Sequence, residues 1–285
     1  MTIREALQSA AERLELHYVS NARLTAELLL AHVLSVEREY LHSHDDSVLT
    51  KAELEALEDH LYDRMSGMPL QYIVGRQEFY GRYFHVNPSV LIPRPETEYI
   101  IEAVLEAYGT RGTRGLTPRP LSIFDVGTGS GCIAVTLSLE IPGAEVVAAD
   151  ISFDALVVAC ENSARLGAQV KFVCADVLDG ISCKFDFVVS NPPYVHRNEI
   201  TRLQRDVREY EPHVALFSPE DELAIYRRLV LGSEEMLKAG GHLIMEVGIG
   251  MDERVLTLFG RKWEKLPTKA DLQGIPRTVI AKLRP

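Results

Sequence analysis

From residue 121 to the end of the chain, short apolar segments alternate with longer amphipathic ones, and this alternation constrains the fold most. The sequence predicts strands at 122–126, 145–150, 170–173, 186–189, 241–247 and 277–281. It predicts intervening helices at 132–140, 152–166 and 221–239. Strands that alternate with helices form a mostly parallel sheet with helices on both faces. We therefore predict an α/β, Rossmann-like doubly wound sheet whose last strand is an antiparallel edge strand.

The first predicted strand runs into a glycine-rich turn, Gly-Thr-Gly-Ser-Gly at 127–131, which opens the first helix. Glycines let the backbone approach a ligand closely, and such a turn is typical of nucleotide-cofactor sites. An NAD site is the obvious alternative, but its fingerprint has the spacing Gly-x-Gly-x-x-Gly. The candidate cofactor residues of this turn are Gly127, Thr128, Gly129, Ser130 and Gly131.

Acidic residues follow the next two predicted strands. Asp150 ends the second strand, where its carboxylate can accept hydrogen bonds from both hydroxyls of a ribose, although NAD enzymes use such an acid too. Asp176 follows the third strand and is placed to contact an adenine, with Val177 packing on the adenine ring. Each acid alone could equally cap a helix or lie in a solvated turn. Together with Asp125 and the glycine turn, they favour S-adenosylmethionine as the cofactor.

The segment Asn191-Pro192-Pro193-Tyr194 follows the predicted strand 186–189. The two prolines fix their own φ and lack an N–H, so the segment is stiff and cannot continue a sheet ladder. It therefore holds an amide and an aromatic ring at the carboxyl edge of the sheet, where ligands bind in open α/β folds.

Asn191 Oδ1 and the Pro192 carbonyl can both accept hydrogen bonds from a planar –NH₂ group, and the Tyr194 ring can stack on that group. We predict that Asn191, Pro192 and Tyr194 are catalytic, that Pro193 also contacts the substrate, and that Asn191 borders the cofactor. An ordinary proline-stiffened loop is the alternative interpretation.

Residues 1–74 are predicted to form an all-helical domain. Thr2 with Glu5 and Thr50 with Glu53 are capping-box patterns, Asn21 is a candidate helix cap, and a glycine at 67 ends the last long helix. This part contains 13 Asp and Glu against 6 Lys and Arg. It is either a solvated helical bundle or a substrate-docking module for a basic partner.

A β-hairpin linker is predicted at 75–92, because the sequence there becomes aromatic and alternating around Gly81. The catalytic domain is then 93–285. It begins with a proline-flanked Arg94 before a helix whose first turn carries Glu98, and both residues are predicted near the mouth of the active site as substrate contacts. A polar loop at 109–120 leads to the first strand of the sheet.

Composition excludes several classes of protein. The net charge is −11, which disfavours direct nucleic-acid binding because that binding depends on Lys and Arg neutralising phosphates. No apolar run has the length of a membrane span, and the amphipathic start lacks a signal-peptide core. The four cysteines have no metal-ligand spacing, so we predict buried reduced thiols, no metal site and a cytoplasmic location.

Taken together, the chain resembles the class I S-adenosylmethionine-dependent methyltransferases with an Asn-Pro-Pro-Tyr motif, and within them the release factor glutamine methyltransferases (PrmC, or HemK). The segments that carry the resemblance are 69–73, 79–81, 91–98, 125–134, 190–194, 211–212, 215–216 and 271–277. The Asn-Pro-Pro-Tyr motif is shared with adenine-N6 methyltransferases, whereas Ile-Pro-Arg-Pro-Glu-Thr-Glu at 92–98 is more specific to the release-factor branch.

The resemblance implies N5-methylation of the glutamine in the Gly-Gly-Gln loop of class I peptide chain release factors, leaving S-adenosylhomocysteine. We expect the enzyme to be a monomer. Two departures stand out: Ile249-Gly250-Met251 lacks the family's usual glutamine, and Val177 stands where an aromatic often borders the adenine. Three alternatives stay open. They are a glutamine methyltransferase for a ribosomal protein, an adenine-N6 methyltransferase, and a protein that binds S-adenosylmethionine without transferring its methyl group.

Overall fold

The computed structural model describes residues 1–112, 120–218 and 221–285. The helices in chain order are α1 (Ile3–Leu16), α2 (Ala22–Leu34), α3 (Arg38–Ser43), α4 (Lys51–Ser66), α5 (Leu70–Val74), α6 (Glu98–Gly112), α7 (Cys132–Glu140), α8 (Phe153–Leu166), α9 (Arg205–Tyr210), α10 (His213–Leu216), α11 (Ala224–Met236) and α12 (Asp252–Leu256). The strands are β1 (Arg76–Phe79), β2 (Arg82–His85), β3 (Ser122–Val126), β4 (Glu145–Asp150), β5 (Val170–Cys174), β6 (Phe185–Ser190), β7 (Leu237–Glu246), β8 (Trp263–Lys265), β9 (Lys269–Ala270) and β10 (Pro276–Leu283). Short 3₁₀ turns occupy Pro95–Thr97 and Arg197–Arg202.

The described chain divides into two compact units. One comprises Met1–Arg76 with Leu203–Tyr210, and the other comprises Gln77–Arg202 with Glu211–Pro285. Within residues 1–112, 120–218 and 221–285, no helix is both long and apolar enough to cross a membrane.

The first unit is helical, as the sequence predicts. Both capping boxes form: the Glu5 N–H donates to Thr2 Oγ1 at 3.2 Å, and the Glu53 N–H donates to Thr50 Oγ1 at 3.3 Å. Asn21 occupies the predicted cap position before α2, but its side chain does not cap the helix. Asn21 has a left-handed φ of 52° and makes no capping bond, whereas a capping residue normally has an extended backbone.

The second unit contains the predicted β-hairpin, β1–β2, except for its first residue, Arg76. It also contains a large mixed sheet in the order β5-β4-β3-β6-β7-β10-β8, with β9 beside β10. Strands β3 to β7 pair in parallel, and β10 pairs antiparallel with β7. The doubly wound fold is confirmed. The edge position predicted for the last strand is wrong, because β8, which is too short to give a sequence signal, pairs along its outer side.

Helices cover both faces of this sheet. On one face, Ile123 of β3 packs with Val104 of α6 and Ile133 of α7. On the other face, the next residue along β3, Phe124, packs with Leu229 of α11. Successive side chains of a strand point to opposite faces, so a strand buried on both sides reads as a continuous apolar run.

Two further expectations need correction. The predicted loop at 109–120 begins too early, because α6 continues to Gly112; its apolar face is anchored in the core, and a helical glycine costs only about 1 kcal/mol relative to alanine. Residues 113–119 lie outside the described residues. Of the cysteines, only Cys132 is buried, whereas Cys160, Cys174 and Cys183 are exposed, since they lie on the outer face of α8, on the edge strand β5 and in a loop.

Candidate active site

A cavity of about 570 Å³ lies at the carboxyl ends of β3, β4 and β6. The strand order changes direction there, because β4 and β5 extend to one side of β3 and β6 and β7 to the other. This is the switch point at which open α/β sheets bind ligands, and the volume suits a small molecule. The predicted site residues that line the cavity are Gly127, Gly129, Asp150, Asp176, Val177, Asn191, Pro192 and Pro193.

The glycine turn after β3 depends on left-handed backbone. Gly127, Gly129 and Gly131 have φ values of 71°, 54° and 82°. At Gly131, an added Cβ would also lie 3.1 Å from the Cβ of Ala159 on α8. Glycine at the third position therefore lets α7 and α8 pack closely, while the first two glycines border the cavity.

Thr128 and Ser130 are buried in the turn, at 4% and 2% exposure, and are absent from the described lining of the cavity. The Thr128 hydroxyl donates to Asp125 Oδ2 at 2.6 Å. Burial raises the pKa of Asp125 to about 7, although the bond from Thr128 opposes that rise. The bond between Thr128 and Asp125 therefore stabilises the turn from within the protein and not from the cavity.

Asp150 accepts hydrogen bonds from both loops that flank the cavity. Its Oδ2 accepts from the Gly129 N–H at 2.8 Å, and its Oδ1 accepts from the Ser152 N–H at 2.9 Å. Burial raises the pKa of Asp150, and the bonds from these backbone N–H groups oppose the rise. Each carboxylate oxygen keeps a further lone pair, so the fixed carboxylate can accept two hydroxyl donors from a diol.

Asp176 and Val177 follow β5 on the far side of the cavity. Arg228 of α11 binds Asp176 Oδ1 at 2.9 Å and also lines the cavity. The sequence analysis did not identify this arginine, because nothing distinguishes one basic residue on the polar face of a helix. Val177 has a φ of 58°, which is rare for a β-branched residue and is typical of positions that the surrounding structure constrains for binding.

Asn191 lies directly after β6, whose end is fixed to β3 by a bond from Ser190 Oγ to the Val126 carbonyl at 2.8 Å. The Asn191 side chain donates from Nδ2 to Thr97 Oγ1 at 3.0 Å. Its Oδ1 is thereby left as the acceptor of the amide. Asn191 and Pro192, which carry the two predicted acceptors, both line the cavity.

Tyr194 is half-buried, and it is not among the described residues that line the cavity. It packs with Val247 and Met251 against the core. Burial, and secondarily the negative charge of Glu246, raises the pKa of Tyr194 to about 12. The phenol is thus neutral at physiological pH.

Arg94 and Glu98 are engaged in internal hydrogen bonds. Arg94 donates to Glu211 Oε1 at 2.5 Å, and the Glu211 side chain is only 1% exposed. Glu98 Oε1 accepts from the Tyr80 N–H at 2.8 Å in the hairpin turn. Both residues brace the segments around them, and their contact with substrate stays a prediction.

Comparison with known proteins finds two family matches along the chain. The PrmC N-terminal domain family matches residues 5–75, and the methyltransferase small domain family matches residues 115–207. The release factor glutamine methyltransferase of Koribacter versatilis is 45% identical over 99% of this chain and 99% of its own length. The enzyme of the same name from Chlorobaculum tepidum is 41% identical over 91% of this chain and 90% of its own length.

Solved structures support the fold alone. The hMettl16 catalytic domain, in complex with a 3′UTR hairpin, superposes with a TM-score of 0.54 at 16% identity over 78% of this chain and 81% of its own. The T. thermophilus 16S rRNA methyltransferase RsmC, in complex with AdoMet and guanosine, gives 0.51 at 20% identity over 73% of this chain and 50% of its own. Because the chain is 41–45% identical to these curated relatives over nearly its full length, it belongs to the family of release factor glutamine methyltransferases.

Proposed function

We propose that this protein transfers a methyl group from S-adenosylmethionine to the side-chain nitrogen of the glutamine in the Gly-Gly-Gln loop of class I release factors. The observation that carries the proposal is that Asn191 and Pro192 both line the cavity, while Asn191 donates from Nδ2 to Thr97 and so keeps its Oδ1 as an acceptor. A primary carboxamide has two N–H donors in one plane, and Asn191 Oδ1 with the Pro192 carbonyl can accept both.

The cavity fits the cofactor. Asp150 holds a carboxylate toward a ribose diol, and the glycine turn lets the backbone approach the ligand. Asp176 and Val177 border the position of an adenine, and Asp176 keeps Oδ2 available while Arg228 binds its Oδ1. When bound, S-adenosylmethionine supplies a methyl group on a positively charged sulfur and leaves as S-adenosylhomocysteine.

The protein's contribution is orientation and electrostatics. A carboxamide nitrogen is a poor nucleophile because its lone pair is delocalised into the carbonyl. Asn191 Oδ1 and the Pro192 carbonyl hold the nitrogen in line with the methyl group and stabilise the positive charge that develops on it. The new N–C bond forms as the S–C bond breaks, and the nitrogen then loses a proton to solvent. No strong base is needed before transfer, which agrees with a neutral Tyr194.

The helical first unit is proposed to dock the release factor. It carries the excess of acidic over basic residues noted above, and it exposes Tyr18 and Tyr62, at 95% and 70%. Exposed tyrosines supply apolar area with a polar tip, and acidic side chains favour a basic partner. A translation factor as substrate favours a cytoplasmic enzyme. We further propose that it acts as a monomer on protein and not directly on nucleic acid.

The identity of the substrate that receives the methyl group is tested with radiolabelled S-adenosylmethionine. Four candidates are offered: a class I release factor, the same factor with its loop glutamine replaced by alanine, ribosomal proteins, and duplex DNA. We expect label on the intact factor alone. Label on a ribosomal protein or on DNA contradicts the proposed substrate. Binding of the cofactor without any label contradicts methyl transfer itself.

A further inference from the structure

A chain of hydrogen bonds runs from Asn191 into the interior of the protein. Asn191 Nδ2 donates to Thr97 Oγ1 at 3.0 Å, and Thr97 Oγ1 donates to Glu246 Oε2 at 2.6 Å. Thr97 and Glu246 are only 2% and 3% exposed. Three separate elements therefore meet here: the end of β6, the 3₁₀ turn after Arg94, and the end of β7.

The direction of these bonds follows from the chemistry of the groups. An ionised carboxylate only accepts hydrogen bonds, so the single hydroxyl proton of Thr97 must point to Glu246. The Thr97 oxygen can then only accept from Asn191, which must present its –NH₂ group to the threonine. The amide oxygen of Asn191 is thereby directed away from Thr97, and Asn191 is one of the residues that line the cavity.

A reversed amide would be the wrong partner for the substrate. If the side-chain amide of Asn191 were rotated by about 180°, its –NH₂ group would face the –NH₂ group of the substrate glutamine. Two donors would then oppose each other, and the positive charge developing on the substrate nitrogen would meet N–H dipoles instead of an oxygen. The oxygen and the –NH₂ group of an asparagine amide have nearly the same size and shape, so packing alone does not determine which of them faces the cavity.

We propose that Thr97 and Glu246 are positioning residues that set the polarity of the Asn191 amide and so make its oxygen the acceptor for the substrate nitrogen. This proposal rests on the function proposed above. Neither residue touches the substrate in this account; both act through Asn191. We call the hydrogen-bond chain Asn191–Thr97–Glu246 the relay. It would serve any methyl acceptor that presents an –NH₂ group.

The ionisation of Glu246 links the relay to pH. Burial raises the pKa of Glu246 to about 7, while the bond from Thr97 and the nearby positive charges lower it. The titratable or charged groups around the carboxylate are Arg94, Glu96, Cys132, Tyr194, Tyr226 and Arg277. Once Glu246 is protonated, Thr97 can accept from it and donate to Asn191, which frees the amide to reverse. We expect kcat to rise with pH through about 7 and then to level off.

The test compares three variants of the relay with one matched control. Thr97→Val removes the hydroxyl, Glu246→Gln replaces the obligate acceptor with a group that can also donate, and Thr97→Ser keeps the hydroxyl. The control, Tyr226→Phe, removes a buried hydroxyl that donates to the main-chain carbonyl of Glu246 at 2.9 Å but leaves the relay intact. The readouts are kcat and KM for methyl transfer, cofactor Kd by calorimetry, and folding by circular dichroism.

We expect Thr97→Val and Glu246→Gln to lower kcat by roughly 10- to 100-fold, as a misplaced catalytic group does, with cofactor Kd unchanged. Thr97→Ser and Tyr226→Phe should stay within about threefold of the wild type, since neither breaks the relay. The pH dependence near 7 should disappear in Glu246→Gln, because glutamine does not titrate. A merely structural role for these residues would not produce that flat profile.

Two outcomes overturn the proposal: a folded Thr97→Val or Glu246→Gln with wild-type kcat, or a Glu246→Gln whose pH profile keeps the wild-type shape. If a variant does not fold, the pH profile of the wild type and the behaviour of Thr97→Ser decide, since a flat wild-type profile or an inactive, folded Thr97→Ser also overturns the relay. A wild-type enzyme that methylates no release factor is a different result, because it contradicts the proposed function before the variants are compared.

Discussion

Gly248 follows β7 and faces the ring of Tyr194, and it offers a sharp test of how the site is built. A Cβ at this position would lie 3.0 Å from Tyr194 Cδ2 and 2.9 Å from Met251 Sδ. Gly248 is not in the left-handed region, so Gly248→Ala introduces a steric conflict without backbone strain. Met251 can move because its side chain is flexible, whereas the tyrosine ring can yield only by shifting as a whole.

The size of the effect follows from the shortfall in distance. Carbon atoms pack best at about 3.5–4.0 Å, so the ring must retreat by roughly 0.5–1 Å. If Tyr194 stacks on the substrate amide, as the sequence predicts, a displacement of that order costs about 10- to 100-fold in rate. Overpacking should also lower the free energy of unfolding by about 1–3 kcal/mol. Cofactor affinity should not change, because neither Gly248 nor Tyr194 lines the cavity in the described part of the chain.

The assay measures kcat and KM for methyl transfer together with cofactor Kd by calorimetry. Gly260→Ala is a matched control, since Gly260 has no positive φ and nothing lies within 4 Å of its added Cβ. We expect Gly248→Ala to lose kcat and Gly260→Ala to behave as wild type. The reasoning is refuted if Gly248→Ala keeps its kcat, or if its main defect is in cofactor binding.

Three further predictions concern the cofactor turn and its acids. Asp150→Ala removes two charged hydrogen bonds to a ribose, each worth about 1.5–3 kcal/mol, and should weaken cofactor binding by about 10²-fold or more in calorimetry; binding within about threefold of wild type would contradict the ribose contact. Gly131→Ala places a Cβ at a φ of 82° and 3.1 Å from Ala159, so urea denaturation should show a loss of at least about 1–2 kcal/mol, and an unchanged midpoint would count against the close packing of α7 on α8. Asp125 has its pKa raised by burial from 3.8 to about 7, so the stability it contributes is fully present below about pH 4 and is lost as pH rises to about 7. Asp125→Asn should therefore flatten the decline of unfolding free energy across that range, and an unaltered slope would show that Asp125 ionises normally.

Much of the cavity could be predicted from the sequence because it lies where parallel strands end. Asp150 and Asn191 each follow a short apolar run, and the carboxyl ends of neighbouring parallel strands meet at one edge of the sheet. Capping boxes are equally local, since a hydroxyl and a carboxylate three residues apart bond the same helix turn. These features depend on spacing within a few residues, which a single sequence records directly.

Features that depend on contacts between distant segments could not be predicted in this way. Thr97 and Glu246 are 149 residues apart, and each alone has the appearance of an ordinary turn or strand residue. Arg228 contacts Asp176 across 52 residues of chain. The exposure of Cys160, Cys174 and Cys183 depends on where their helix, edge strand and loop lie in the fold. Local periodicity does not determine that placement.

We propose that Asn191 and Pro192 hold a glutamine side chain of a release factor for methylation. This proposal is tested most directly by incubating a release factor with the wild-type protein or with Asn191→Ala, then locating the added methyl group by tandem mass spectrometry. We predict a single methyl group on the side-chain nitrogen of the Gly-Gly-Gln glutamine, with kcat for Asn191→Ala lowered about 10²-fold or more and cofactor Kd nearly unchanged. A methyl group on another residue, or comparable turnover by Asn191→Ala, would contradict the account.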